Sequence, residues 1–149
     1  MRRLILLLLL LTGPALADRP PSTPVGLWET PESKAGKAHV QIEPCAGKLC
    51  GRIVWLELPN DKDGQPRTDR RNTDAALRGR PILGLPLLSD FVPDPERADR
   101  WIDGRIYNPE DGEIYRCTMT LGPNGTLDVR GYLGVPLLGK SQTWKRVEK

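Results

Sequence analysis

The alternation of apolar and polar residues along the chain predicts β-strands. Between residues 113 and 121, Tyr115, Cys117 and Met119 share one face of the segment, and polar residues stand between them. A period of two is typical of a half-buried strand. The same pattern, bounded by turns rich in glycine and proline, predicts strands at 26–30, 39–43, 49–58, 101–107, 126–132 and 141–147. Seven or more short antiparallel strands indicate a β-barrel or a β-sandwich.

Residues 59–100 interrupt this pattern. The segment contains six prolines and many charges, so we predict a long irregular insertion. Within it we expect one short helix, with Asn72 as the N-cap and Gly79 just past the end. A long insertion in a compact domain usually carries function or covers the core.

The N-terminus has the pattern of a secretory signal peptide. Arg2 and Arg3 precede eight apolar residues at 4–11, and small residues stand at Ala15 and Ala17. The apolar run is shorter than the ~20 residues that a membrane-spanning helix needs. We therefore expect cleavage after Ala17, export to the periplasm or the medium, and a single mature domain at 18–149.

The near-neutral charge of the mature chain gives no electrostatic reason to expect nucleic-acid binding. Removing Arg2 and Arg3 from 22 basic residues leaves 20, against 19 acidic residues. A protein whose net charge is near zero has no overall electrostatic attraction for polyanions or for an anionic membrane. We expect no nucleic-acid partner and no stable membrane insertion.

The cysteines fit an exported protein. Cys45 and Cys50 bracket a four-residue turn, which predicts a disulfide worth about 2 kcal/mol. Cys117 lies far away and would remain a free thiol. In the alternative interpretation, all three cysteines are small buried apolar side chains.

Patterns for catalysis or metal binding are weak. The only histidine, His39, lies in a predicted strand, and Cys117 lies on an apolar strand face, where a thiol is inert. Residues 61–64 begin like a calcium loop, but Arg70 stands where the loop needs an acid. We expect no metal and no cofactor, and a binding protein is favoured over an enzyme such as a hydrolase.

Three motifs occur in order along the chain. They are CAGKLCGRIVWL at 45–56, WxxGxIYNPxxGxxY at 101–115, and VRGYLG at 129–134 followed by QTWKR at 142–146. Together they resemble the uncharacterised exported bacterial family named domain of unknown function 2147. The resemblance covers nearly the whole mature chain. It implies a small lipocalin-like antiparallel barrel and brings no activity with it.

The first strand also contains Gly26-x-Trp28, which is similar to the Gly-x-Trp signature of lipocalins. In that superfamily an arginine or lysine from the last strand packs over the tryptophan and closes one end of the barrel. Arg146 or Lys145 is placed to do this, and such a cation–π contact is worth about 0.5–2 kcal/mol. The resemblances imply an all-β fold, a small up-and-down barrel of the lipocalin or calycin type with one insertion.

An eight-stranded barrel of this kind is wide enough for one small ligand. Our working hypothesis is that the lumen binds or carries a small lipophilic molecule, since such pockets are mainly apolar. The candidate lining residues are Trp55, Trp101, Tyr115, Met119, Arg130 and Tyr132. The alternative is a solid core and an envelope-structural or protein-interaction role, with an exposed apolar patch at residues 81–92 as the contact surface.

Overall fold

Eight antiparallel strands form a closed up-and-down barrel in the computed structural model, which describes residues 22–135 and 139–148. Each strand pairs with its neighbours in sequence, and the first strand pairs with the last. The strands are β1 (Gly26–Glu29), β2 (Ala38–Cys45), β3 (Lys48–Leu56), β4 (Pro86–Asp94), β5 (Arg97–Asn108), β6 (Glu113–Leu121), β7 (Thr126–Tyr132) and β8 (Lys140–Arg146). The prediction of an all-β barrel is confirmed. The predicted signal peptide lies outside the described residues.

The turn between β2 and β3 shows how local sequence sets the register. Cys45 pairs with Lys48, and the two residues between them, Ala46 and Gly47, have φ angles of 48° and 80°. Positive φ at both positions is typical of the type I′ turns that join tight hairpins. Cys45 and Cys50 form the predicted disulfide across this hairpin, with 5.7 Å between their Cα atoms.

The prediction of an irregular segment through residue 100 is wrong in its second half, because β4 and the start of β5 lie there. Pro86 is the first residue of β4, and Pro93 stands beside a register shift, positions at which a strand tolerates proline. Asp90 has a φ of 66° and breaks the alternation, so Leu88 and Phe91 both face the core three residues apart. The insertion therefore spans only residues 57–85.

The helix in the insertion is a single 3₁₀ turn, Ala75–Leu77. Its N-cap is Asp74, whose carboxylate accepts a hydrogen bond from the Ala76 amide at 2.9 Å. The expected N-cap, Asn72, is instead buried. Within the described residues there is no helix that is long and apolar enough to cross a membrane.

Large apolar side chains fill the inside of the barrel. Trp28, Phe91, Trp101, Met119 and Trp144 are each at most 7% exposed. One edge of the Phe91 ring occupies the space above Gly104, where a Cβ atom would lie 2.2 Å from the ring. Interiors packed in this way tolerate extra atoms poorly.

Replacing Gly104 with alanine should therefore destabilise the protein. The added methyl group overlaps the Phe91 ring, so we expect Gly104→Ala to lower the free energy of unfolding by about 1–3 kcal/mol in urea titrations. Gly79→Ala is the matched control, since a Cβ atom at Gly79 meets nothing within 4 Å. Adding Phe91→Leu to Gly104→Ala should cost less than the two single changes summed. Equal stability of Gly104→Ala and the wild type would contradict this packing.

Candidate functional site

A groove of about 500 Å³ lies between the insertion and the wall formed by β4, β5 and β6. This volume falls within the range of small-molecule sites. The insertion contributes Asn72, Thr73, Leu77 and Arg80 to the lining. The strands and the β5–β6 turn contribute Pro86, Leu87, Leu88, Ser89, Asp90, Arg105, Tyr107, Gly112, Glu113 and Ile114.

The groove lies on the outer surface of the barrel. Tyr107 pairs with Ile114, which is 58% exposed, so both side chains share the solvent side of the wall. Gly104 lies against the internal Phe91 ring, and along β5 Arg105 follows on the opposite face. Arg105 and Tyr107 therefore both point outward, into the groove.

A buried carboxylate fastens the insertion to this wall. The Asp69 side chain has no solvent exposure. It accepts hydrogen bonds from the Tyr107 hydroxyl at 2.5 Å, the Asn72 amide at 2.8 Å and the Arg80 Nε at 2.9 Å. The Asn72 amide also donates to the Tyr107 oxygen at 3.1 Å. We name these four side chains the Asp69 cluster.

The charge state of the Asp69 cluster follows from these contacts. Burial acts to raise the pKa of Asp69, but the hydrogen bonds from Tyr107, Asn72 and Arg80 outweigh it, so the pKa lies below its ordinary value. Burial and the bond to Asp69 raise the pKa of Tyr107. Asp69 is therefore an ionised, fully bonded carboxylate, which suits a structural tie better than a general base.

A close backbone approach supports the same attachment. A Cβ atom at Gly112, in the β5–β6 turn, would lie 1.9 Å from the Arg71 carbonyl oxygen. Only glycine leaves room for the insertion to come this close. The insertion is thus bonded to the wall through Asp69, and Gly112 lets the neighbouring backbone at Arg71 approach closely.

The structure does not bring the six predicted lining residues together. Trp101 and Met119 pair across β5 and β6 inside the barrel and are buried. Tyr115 shares their face nearer the β5–β6 turn, where its hydroxyl donates to Asp111 at 2.7 Å.

The other three lie outside the lumen. Trp55 is 42% exposed and packs on the His39 ring, with 4.4 Å between the ring centroids. Arg130 donates to the Ser141 hydroxyl at 2.8 Å, and Tyr132 pairs with the exposed Arg116. Trp55 lies outside because the register shifts between His39 and Val40: His39 pairs with Trp55 but Val40 pairs with Ile53, which reverses the face of Trp55. The sequence pattern does not reveal this bulge.

The expected interaction surface at residues 81–92 is also mostly internal. Leu85, Leu88 and Phe91 are buried in the core, and Leu83 is the large apolar side chain of this stretch that is exposed, at 51%. The physical reason is that most of this segment forms β4, a wall strand whose apolar side chains fill the barrel.

The barrel-closing residues do meet at one end of the barrel. The Arg146 guanidinium carbon lies 4.2 Å from the centroid of the Trp28 ring. The same side chain donates to the carbonyl oxygens of Val25 and Thr23 at 3.0 and 2.8 Å. A Cβ atom at Gly26 would lie 2.6 Å from the Arg146 Nη1, so glycine makes room for the arginine. Arg146, rather than Lys145, covers the tryptophan.

The free thiol of Cys117 is buried beside this core. Burial raises its pKa to about 12, so it is neutral at ordinary pH and not a nucleophile.

Comparison with known proteins identifies a family and a fold. The family described as "Uncharacterized protein conserved in bacteria (DUF2147)" matches residues 26–146. Among solved structures, this chain is similar to the one described as "Protein HP1028 from the human pathogen Helicobacter pylori belongs to the lipocalin family". The two are 28% identical with a TM-score of 0.69, over 83% of this chain and 82% of the other. Among curated proteins there is no match.

Removing one hydroxyl tests the Asp69 cluster. Tyr107→Phe leaves a buried carboxylate with one donor fewer, so we expect the free energy of unfolding to fall by about 1.5–3 kcal/mol. Tyr115→Phe is the control, because its hydroxyl bonds to Asp111 at the surface, and we expect a change of about 0.5 kcal/mol or less. Similar losses in the two variants would count against the cluster.

The lowered pKa of Asp69 also predicts an acid dependence. In the unfolded chain Asp69 binds a proton at its ordinary pKa of 3.8, and in the folded chain it does so only at a lower pH. The contribution of Asp69 to the free energy of unfolding is therefore complete above pH 3.8. This contribution is lost as the pH falls through the pKa of Asp69 in the folded protein. We expect a carbon-13 titration of the Asp69 carboxyl to give a midpoint below pH 3.8. Below pH 3.8, we also expect the free energy of unfolding of wild type to fall more steeply with pH than that of Asp69→Asn. A midpoint at or above 3.8 would refute the assignment.

Proposed function

This chain belongs to the bacterial DUF2147 family, and on that premise we propose that it is an exported protein that binds a small lipophilic molecule in the groove outside its barrel. The signal pattern at residues 1–17 and the Cys45–Cys50 disulfide support export to an oxidising compartment. The lipocalin description of the structural neighbour supports a binding role for the fold. The observation that carries the proposal is the groove between the insertion and the wall.

The groove offers apolar surface on facing sides. Leu77 approaches from the insertion, and Leu87 and Ile114 from the strands. Leu77 and Ile114 are exposed in the free protein. Covering such side chains with a ligand removes apolar area from water, at about 25 cal/mol for each square ångström.

The contents of the barrel favour this groove over the lumen. Trp28, Phe91, Trp101, Met119 and Trp144 are packed into the inside. A ligand in the lumen would have to displace these rings, at the cost of the native packing. The groove needs no such rearrangement.

The Asp69 cluster adds to the case because it prepares the site before a ligand arrives. Asp69 is fully bonded to Tyr107 on the wall and to Asn72 and Arg80 on the insertion, so both sides of the groove are held in place. A site that is already ordered spares the ligand the entropy cost of ordering it. The same cluster sets Arg80 at the edge of the groove.

Binding of an uncharged fluorescent probe, N-phenyl-1-naphthylamine, tests the proposal. We expect wild type to bind it and Ile114→Glu to weaken binding by about tenfold or more, since the change puts a charge on the apolar wall. Val54→Glu is the matched control, because Val54 is an apolar strand residue that is 43% exposed and does not line the groove.

Two results would overturn the proposal. If wild type does not bind the probe, or if Val54→Glu and Ile114→Glu weaken binding equally, the groove is not the site. Native mass spectrometry of protein exported by its own signal and purified without detergent would then identify any ligand carried elsewhere.

A further inference from the structure

We propose that the wall beside the groove binds an oxyanion, a phosphate or a carboxylate, between Arg105 and Arg116. This inference rests on the proposed function, and it defines the ligand as an amphipathic molecule with an anionic head and a lipophilic tail. The head would lie on the arginine pair and the tail in the groove.

The two arginines stand directly opposite each other on adjacent strands. Arg105 on β5 pairs with Arg116 on β6, and Arg116 pairs in turn with Tyr132 on β7. Cα partners in a sheet project to the same side, so all three side chains share the outer face on which Arg105 points. Together they offer two guanidinium forks and one hydroxyl to a group bound on this face.

This arrangement places two positive charges side by side, and neither forms an ion pair with a carboxylate of the described residues. Like charges directly opposite each other destabilise a sheet. In the part of the chain that the structure describes, neither the Arg105 nor the Arg116 side chain forms a hydrogen bond or an ion pair. By contrast, Arg52 and Arg97 elsewhere on the surface each pair with a carboxylate, at 3.0 and 2.9 Å.

A small cavity lies at this pair. It measures about 170 Å³ and is lined by Asp103, Gly104, Arg105, Arg116 and Tyr132. Asp103 has a φ of 59° and lies in the bulge between Trp101 and Gly104, a device that re-aims side chains beside functional sites. Asp103 contributes one negative charge against two positive charges, so the cavity keeps an excess of positive charge.

Arg105 joins this cavity to the groove. Arg105 lines both spaces, so a ligand whose tail lies against Leu87 and Ile114 brings its head to the arginines. The guanidinium fork matches the oxygens of phosphate and carboxylate in two parallel hydrogen bonds. An anion between the two forks also removes their mutual repulsion.

Three probes with matched alkyl chains, dodecyl phosphate, dodecanoate and dodecanol, test the inference together with inorganic phosphate, by competition with N-phenyl-1-naphthylamine and by calorimetry. The amphiphiles are used below their micelle concentrations. We expect one or both anionic probes to bind at least about tenfold more tightly than dodecanol at low salt. We expect this preference to shrink as salt is added.

Paired variants assign the preference to the two arginines. In Arg105→Gln/Arg116→Gln, we expect the preference for the anionic head to disappear, so that the anionic probes bind no more tightly than dodecanol does to the same variant. Arg52→Gln/Arg97→Gln removes the same number of charges from other parts of the surface and should keep the preference.

Each negative result leads to a different conclusion. If dodecanol binds as tightly as the anionic probes, the oxyanion site is overturned and the lipophilic groove stands. If inorganic phosphate alone binds and the arginine variant abolishes this, the anion site stands as a site for free phosphate and the lipophilic function falls. If no probe binds, both are wrong.

Discussion

The buried carboxylate of Asp69 is the contact on which the groove outside the barrel depends. An ionised carboxylate without solvent is expensive unless its oxygens are bonded, and here three donors satisfy it. One donor, Tyr107, belongs to the barrel wall, while Asn72 and Arg80 belong to the insertion. The carboxylate therefore gains its full set of partners only when the insertion is seated on the wall, which gives a long loop a single position and builds the groove.

The barrel supplies the surface on which this happens. Its lumen is occupied by rings, and one end is closed by Arg146 over Trp28. With the lumen occupied by side chains, the groove lies on the outer wall, where the insertion turns an open face into a recess. Arg105 lines both the groove and the smaller cavity, so apolar and cationic surface lie side by side on the wall.

The elements that could be predicted are those whose signal is local. Alternation in β6 and the turn between β2 and β3 both depend on neighbouring residues, and so does the spacing of Cys45 and Cys50. β4 was missed because Pro86, Asp90 and Pro93 disturb the period of two in a strand that pairing on both sides nevertheless stabilises. Trp55 lies outside the lumen, contrary to expectation, because a single bulge that the sequence does not reveal reverses the face of the residues beyond it.

By itself, the sequence determined the class of fold, the closed hairpin with its disulfide, and the pairing of Trp28 with a cation from the last strand through its resemblance to lipocalins. Short-range periodicity and turn chemistry decide the strands and the hairpin, and both can be read along the chain, whereas the Trp28 contact follows from the resemblance alone. Only the tertiary structure decided that the lumen is filled, that Asp69 meets Tyr107 across 38 residues, and that Arg105 and Arg116 stand side by side. These depend on strand register and on the path of the insertion, which are set by contacts between residues far apart in sequence.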